Sequence, residues 1–483
     1  MRKKVLIILV VAGLLIAGLI AYFMLPCGEP KPLRQVLREL AEEIKEKREL
    51  GYDVIEAEYY ALSAAYYYRL GDLEKAEELA LKARELLERA EPLPSLPGRE
   101  WRVAESNVEI DRAPTTWDFV PVGAVFVKTK GGYLAYPGND DKWKLSCFIM
   151  LAMGKTEDGR VFVYQGRLPL MPEESSFKPK VYVGGRWITP SIVFLGPLYF
   201  DEGEKFGLPT VYQYDLSGRY LQTLSYDEEN RMWIHTIEKV ESGEKILEIK
   251  AKARGVPMWL GEWNGSFIIH GVYARTKDFD LWGGFWDVCE MEAVLRYGGE
   301  ALKIKGVFIF DRASHRAYYG EEKPRGSPLS FTCMVIYQED LAIMVAHSQN
   351  PSPIDAEVSF QHQLRINIYS LNLSIATRDF EIRDDGSIQP STFTLTGRFD
   401  GGYFNLTGRV LLYWPEKWVE GRGTWWNPKN CYTWGRAFTV WTGVVVVGDK
   451  VINVDAWGAG EYTRFGECKT TTGCEVDHGC WRE

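Results

Sequence analysis

The residues best placed to do chemistry lie in one segment, Trp282 to Tyr319, where the apolar run Gly306-Val307-Phe308-Ile309-Phe310 ends in Asp311-Arg312-Ala313-Ser314-His315. A carboxyl at the end of such a run is costly to bury without a partner, and Arg312 or His315 is near enough in sequence to supply one. If the Asp311 side chain turns into an apolar interior, desolvation favours the protonated acid and raises its pKa. That is the property required of a proton donor to an uncharged substrate. Asp311 and His315 are thus the candidate catalytic residues, with Trp282, Trp286, Glu290, Arg312 and Trp434 as candidate ligand-binding residues. A structural Asp paired with Arg at a strand end accounts for the same pattern, and the sequence leaves both readings open.

Other chemistries lack support. The chain contains no G-x-S-x-G elbow, P-loop, dinucleotide-binding glycine fingerprint or H-E-x-x-H, which removes the common routes to acyl, phosphoryl, hydride and zinc-hydrolytic reactions. No cofactor and no metal are expected. Cys468, Cys474 and Cys480 near His478 do not follow a zinc spacing, so the tail reads as disulfide-stapled. Lys and Arg number 57 against 66 Asp and Glu, a net charge of −9. No positive excess is available to neutralise a phosphate track, and nucleic acid is not expected as a partner.

The elements that must position these residues are strands. The chain of 483 residues carries 17 Trp, 26 Tyr, 22 Phe and 46 Gly, a mixture suited to many short strands joined by glycine turns. From about Trp101 the apolar period is two, as in Arg365-Ile366-Asn367-Ile368-Tyr369-Ser370-Leu371-Asn372-Leu373, with turn signals such as Gly131-Gly132, Asp158-Gly159, Gly298-Gly299 and Gly448-Asp449. No long amphipathic helix interrupts this region, which excludes α/β barrels and dinucleotide folds. So much antiparallel strand exceeds one barrel. The expected fold is mainly β, two antiparallel barrels or sandwiches in tandem, with a first domain over 98–280, a second over 281–466 and a Cys-rich tail over 467–483. Adjacent Trp425 and Trp426 must point to opposite faces of a strand, which argues against a continuous aromatic platform for sugars.

Residues Val5 to Leu25 carry no charge and no proline and follow Arg2, Lys3 and Lys4. About 20 such residues span a bilayer as a helix, and the positive flank holds the N-terminus in the cytoplasm. The expectation is a membrane anchor over 1–28, with the lipid bilayer as partner of residues 5–25 and the bulk of the chain extracytoplasmic. A helical neck over 29–97 follows: Leu33, Val36, Leu37, Leu40 and Ile44 mark one helix, Ile55, Tyr59, Leu62 and Tyr66 a second, for which Asp53 is a candidate cap. Leu73, Ala76, Ala80, Ala83 and Leu87 mark a third. The second and third together resemble one tetratricopeptide repeat. A lone repeat cannot bury both its faces, so the neck reads as a spacer or as a docking surface for a membrane partner.

The strand, the turn and the G-x-x-x-x-D of Gly306 to Asp311, together with the closing Gly458-Ala459-Gly460-Glu461-Tyr462-Thr463, resemble the hydroxyneurosporene synthase (carotenoid 1,2-hydratase) and AttH-like group of tandem lipocalin-like proteins. In that group an acidic or amide residue, an aromatic and Gly follow the Asp, where this chain has Arg312, Ala313, Ser314 and His315. The resemblance implies two lipocalin-like barrels and an Asp311 that protonates an isoprenoid double bond, to which water then adds. The expected function is binding of a hydrophobic small molecule, an isoprenoid or lipid, with hydratase-like acid catalysis. The alternatives are a non-catalytic carrier or assembly module and a carbohydrate-binding surface protein.

Overall fold

The computed structural model describes residues 31–92 (apart from 51 and 53), 111–119, 124–129, 132–137, 143–169, 178–188, 192–194, 198–260, 281–316, 331–348, 362–385, 390–413 and 430–467. The expected anchor over 5–25 and the Cys-rich tail lie outside these residues. Among the described residues no helix is long and apolar enough to cross a membrane.

Two barrel-like antiparallel sheets follow one another along the chain, among the described residues one of fourteen strands and one of nine. At the centre of the first, the hydrogen-bonded order is Lys245–Ala253, Leu281–Tyr297, Glu300–Arg316, Trp143–Thr156 and Val161–Pro169. At the centre of the second it is Leu341–Ser348, Phe331–Gln338, Lys450–Glu467, Asn430–Val447 and Gly402–Tyr413. The strands Leu281–Tyr297 and Glu300–Arg316 therefore complete the first sheet, and the change of sheet falls between 316 and 331 rather than at 280. The reason is pairing: the Asp311 strand is seated between its hairpin partner and Trp143–Thr156, which comes from far upstream.

Both interiors are filled with side chains. In the first, the short helix Thr116–Phe119 inserts Phe119, whose ring lies 5.3 Å from that of Trp233 and 5.7 Å from that of Phe148. Trp233 in turn stacks on Tyr226 at 4.0 Å and leans on Phe310 at 4.3 Å. The second is packed by Ile336, Ile343, Leu364, Ile366, Phe393, Leu395 and Trp441. Aromatic residues supply this filling because each buries a large area in one rotamer.

A third apolar cluster lies between the sheets. Ile149, Leu151, Met153, Trp286, Val288, Val307 and Ile309 of the first meet Val335, Tyr337, Met344, Ala346, Phe438 and Ala459 of the second. The strands at this seam are covered on both faces: Phe308 and Phe310 point into the first interior and Val307 and Ile309 into the seam. A strand buried on both sides reads as a continuous apolar run, which is what Gly306 to Phe310 is. Gly306 and Gly154 face each other in register, and a Cβ on Gly306 would stand 2.0 Å from the Met153 carbonyl oxygen, so no larger residue fits there. One cross-strand row further, the same face becomes charged at Glu292, Lys305 and Lys155, and the seam ends.

The helical section is α1 (Lys31–Glu49), α2 (Ile55–Arg69) and α3 (Leu73–Glu88). Leu37, Leu40, Ile44, Ala64, Ala76, Ala80, Ala83 and Leu87 form its common core. Asp72 caps α3 by accepting from the Lys75 backbone N–H, whereas Val54 occupies the N-cap of α2 with no side-chain hydrogen bond. The opposite face of α2 is covered too. Tyr59 and Leu62 pack on Val193 and Leu216, the Tyr59 hydroxyl donates to the Asp215 carbonyl at 2.7 Å and the Tyr67 hydroxyl to the Ser217 carbonyl at 3.1 Å. The neck is thus seated on the first sheet's loops.

One clamp crosses from sheet to sheet. Asn367, on the strand His362–Ile368, donates to the Val256 carbonyl at 2.8 Å and accepts from the Val256 N–H at 3.2 Å, while Arg254 lies over the Tyr369 ring at 4.6 Å. Replacing Asn367 with Ala strands both backbone groups of Val256 and is expected to destabilise the chain by about 2–3 kcal/mol in urea unfolding.

Candidate functional site

Asp311 continues the seam row of Val307 and Ile309. Its register partners are Trp286 on one side and Ile149 on the other, and Ile149 pairs with Arg167 on the next strand. From the second sheet, Cys333, Glu461 and Arg436 form the corresponding row across three strands. The two rows meet at a cavity of about 30 Å³ lined by Leu151, Trp286, Ile309, Asp311, Cys333, Met334, Val335, Arg436, Ala459, Gly460 and Glu461. Gly460 is required at this wall, because a Cβ there would lie 2.4 Å from the Cys333 carbonyl oxygen and 2.6 Å from the Met334 sulfur.

The charges are unequally satisfied. Arg436, whose side chain is 5% exposed, donates from Nε and Nη2 to one Glu461 oxygen at 2.9 and 2.8 Å. Oδ1 of Asp311 and Nε1 of Trp286 are buried and make no well-aligned hydrogen bond among the described residues, although the indole N–H lies near enough to the carboxyl to favour its charged form. Burial, reinforced by the Glu461 carboxylate, pushes the Asp311 pKa up to about 7, against the opposing pull of Arg436, the Trp286 indole and Arg167. Near neutrality the group is therefore divided between acid and carboxylate, the condition that suits a proton-transfer residue. The Cys333 thiol is raised well above its ordinary value by burial and by Glu461 and Asp311, so it stays protonated and is a poor nucleophile.

Of the residues singled out in the sequence, Asp311 and Trp286 are brought together here. Glu290 is not: it lies on the seam face of its strand, in register with Val307, but at an exposed margin 3.6 Å from Arg254. Trp282, Arg312, His315 and Trp434 occupy strand positions whose side chains lie outside the described set. The groups that act on Asp311 come from distant strands, not from its sequence neighbours. Arg436 and Arg167 were not anticipated; a charged residue between the apolar stretches of Trp434 to Val440 is the one signal that marks Arg436. Glu461 was visible only as part of the glycine-rich close. Cys289 and Cys333 are free thiols, and the remaining cysteines lie outside the described side chains, so the expected disulfides have no counterpart among the described residues.

A second set of titratable groups is sealed in the first interior. Trp233 donates to Asp287 at 2.8 Å, and burial raises the Asp287 pKa to about 6 against that hydrogen bond. His235 is depressed to about 4 by burial. Its Nδ1 lies 2.7 Å from the Thr223 carbonyl and must be the donor, so Nε2 accepts from the Tyr164 hydroxyl at 2.6 Å. Packed among rings, these pairs are structural.

No family model matches the chain, and no curated protein does. Among solved structures the chain is similar to CghA with Sch210972, at 12% identity and a TM-score of 0.41, over 74% of this chain and 97% of that one. It is also similar to kievitone hydratase from Nectria haematococca, at 10% and 0.37 over 75% and 96%. A third likeness is to a putative AttH from Nitrosomonas europaea, at 10% and 0.34 over 73% and 100%. A protein described as a hydratase and one described as a putative AttH thus stand among the solved structures the chain is similar to. At these scores the likenesses assign no residue and no activity.

The Asp311 carboxyl titrates higher in the fold than in the unfolded chain, so the native state holds the extra proton between about pH 4 and 7, and this group's contribution to stability falls as pH rises through that window. Asp311→Asn is therefore expected to be more stable than the parent at pH 8 by about 2–4 kcal/mol, with the difference closing below about pH 4. Paired urea melts across pH measure it, and an unchanged difference from pH 4 to 8 would show that Asp311 titrates normally.

Proposed function

We propose that the protein adds water to an unsaturated apolar molecule bound at the seam, with Asp311 as the acid. The observation that carries this reading is the unpaired Asp311 oxygen in a cavity of about 30 Å³. That volume is room for one water beside the acid, and Glu461, Arg436 and Asp311 offer such a water its polar partners, so the apolar molecule would meet the acid from the open side of the cavity. An acid that holds its proton near neutrality and a water-sized space beside it are the two parts that hydration needs. Asp311 gives its proton to the substrate, the water oxygen bonds to the electron-poor carbon, and the proton lost by water returns to the Asp311 carboxylate. Trp286 and the apolar wall of Leu151, Ile309 and Val335 favour an uncharged isoprenoid or lipid as the molecule acted on.

We place this activity on an extracytoplasmic body held at the bilayer by residues 5–25. The uncharged run behind Arg2, Lys3 and Lys4 supports that arrangement.

The test is incubation of the detergent-solubilised full chain with isoprenoid polyenes in oxygen-18 water, read by mass spectrometry. The expected product gains one labelled water, and Asp311→Asn loses at least about a hundredfold of the rate while keeping its circular dichroism. Retention of a lipid without turnover would replace this reading with that of a carrier. Undiminished turnover in Asp311→Asn would remove Asp311 from the chemistry.

A further inference from the structure

Three Asn-x-Ser/Thr triplets stand in the chain, at Asn264-Gly265-Ser266, Asn372-Leu373-Ser374 and Asn405-Leu406-Thr407. Such a triplet accepts an oligosaccharide only where the folded chain leaves the asparagine amide at a surface with room for it. Asn264 lies outside the described residues. Asn372 is exposed in a left-handed turn, but Ser374 is half-buried and its hydroxyl accepts from Arg365 Nη1 at 2.9 Å. Asn405 is placed differently. On the strand Gly402–Tyr413, Phe404 and Leu406 fill the second interior, while Asn405 and Thr407 share the opposite face and are both exposed.

That face is polar on one side of Asn405 and apolar on the other. Thr394, Thr407, Thr442 and Asp455 form one cross-strand row, and Thr396, Asn405, Val444 and Asn453 the next. The third row is Arg398, Tyr403, Val446 and Val451. Tyr403 is 49% and Val451 61% exposed, with Val444 and Val446 half-buried beside them. An apolar patch left open on a sheet face is a site of contact or of aggregation unless something covers it. Residues two apart on a strand stand about 7 Å from one another and neighbouring strands about 5 Å apart, so the first sugars on Asn405 would reach Tyr403 and Val446. The C–H faces of sugar rings suit packing against such a tyrosine.

We infer that Asn405 carries an N-linked oligosaccharide that lies over Tyr403, Val446 and Val451. The inference rests on the extracytoplasmic placement proposed above. The donor is a lipid-linked sugar phosphate. Nδ2 of Asn405 bonds to the anomeric carbon, the bond from that carbon to the phosphate oxygen breaks, and the lipid phosphate leaves with the electron pair. The amide gives up one proton to solvent, and nothing is oxidised or reduced.

The test is mass spectrometry of the full chain extracted from its native membrane and cut with trypsin. The peptide Phe399–Arg409 is expected to carry the added mass of an oligosaccharide on Asn405. Thr407→Ala should abolish that shift and Thr407→Ser should keep it, both at an exposed position whose replacement leaves the core untouched. Hydroxyl-radical oxidation of Tyr403, read on the same peptide, is expected to be at least about twofold lower in the parent than in Thr407→Ala. Equal oxidation would remove the cover over the patch. An unmodified Asn405 overturns the inference, whichever other triplet is occupied. Protease treatment of intact cells separates the two readings in that case: cleavage leaves the extracytoplasmic placement standing, and protection overturns it as well.

Discussion

Asp311 stands on a face of one sheet that a second sheet covers, so its ionisation is opposed twice, by lost hydration and by the Glu461 carboxylate across the seam. The Arg436 guanidinium relieves that opposition only in part, because it is committed to Glu461 through two hydrogen bonds. The result is a carboxyl that keeps its proton to near neutrality inside an apolar wall. Everything proposed about the chemistry depends on the second sheet covering this face, because opening it to bulk solvent would return the group toward its ordinary behaviour.

The closure has a physical basis in packing on both sides of the same strands. The first interior, filled by Phe119, Trp233 and Phe310, leaves the Asp311 strand no freedom to fall inward, and the second sheet presses Val335 and Ala459 against its other face. Close approach of Gly154 and Gly306 allows the central strands to curve together there. Asn367 and Arg254 then tie the segment after the strand Lys245–Ala253 to the second sheet, and that segment continues into Met258, which pairs with Trp286. The wall of the cavity is in this way continuous with the clamp between the sheets.

The helical section belongs to the same body. Helix α2 is covered on one face by α1 and α3 and on the other by Val193 and Leu216, so it is an internal layer between the hairpin and the first sheet's loops. Tyrosines suit such a layer: Tyr59 is buried, Tyr60, Tyr66 and Tyr67 are half-buried, and the Tyr59 and Tyr67 hydroxyls reach backbone carbonyls at the rim. The tyrosine-rich segment is a docking face, and the surface it docks on is the chain's own.

Much of the architecture was legible because strand and helix periods are local properties. The stripe Leu37, Leu40, Ile44 and the small residues Ala76, Ala80 and Ala83 face their core as spaced, and the strands from Gly298-Gly299 to Gly448-Asp449 turn where the glycines stand. Asp311 was conspicuous for the same reason, as an acid ending an apolar run. The sequence by itself thus determined the element types, the predominance of β-structure and the one acid out of place. Only the tertiary structure decided that the Asp311 strand belongs to the first sheet, that its carboxyl faces a seam rather than a barrel interior, that Glu290 lies at that seam's exposed margin, and that Glu461, Arg436 and Arg167 act on the carboxyl. These facts depend on strand pairings between residues more than a hundred positions apart and on the packing of sheet against sheet, for which periodicity along the chain holds no record.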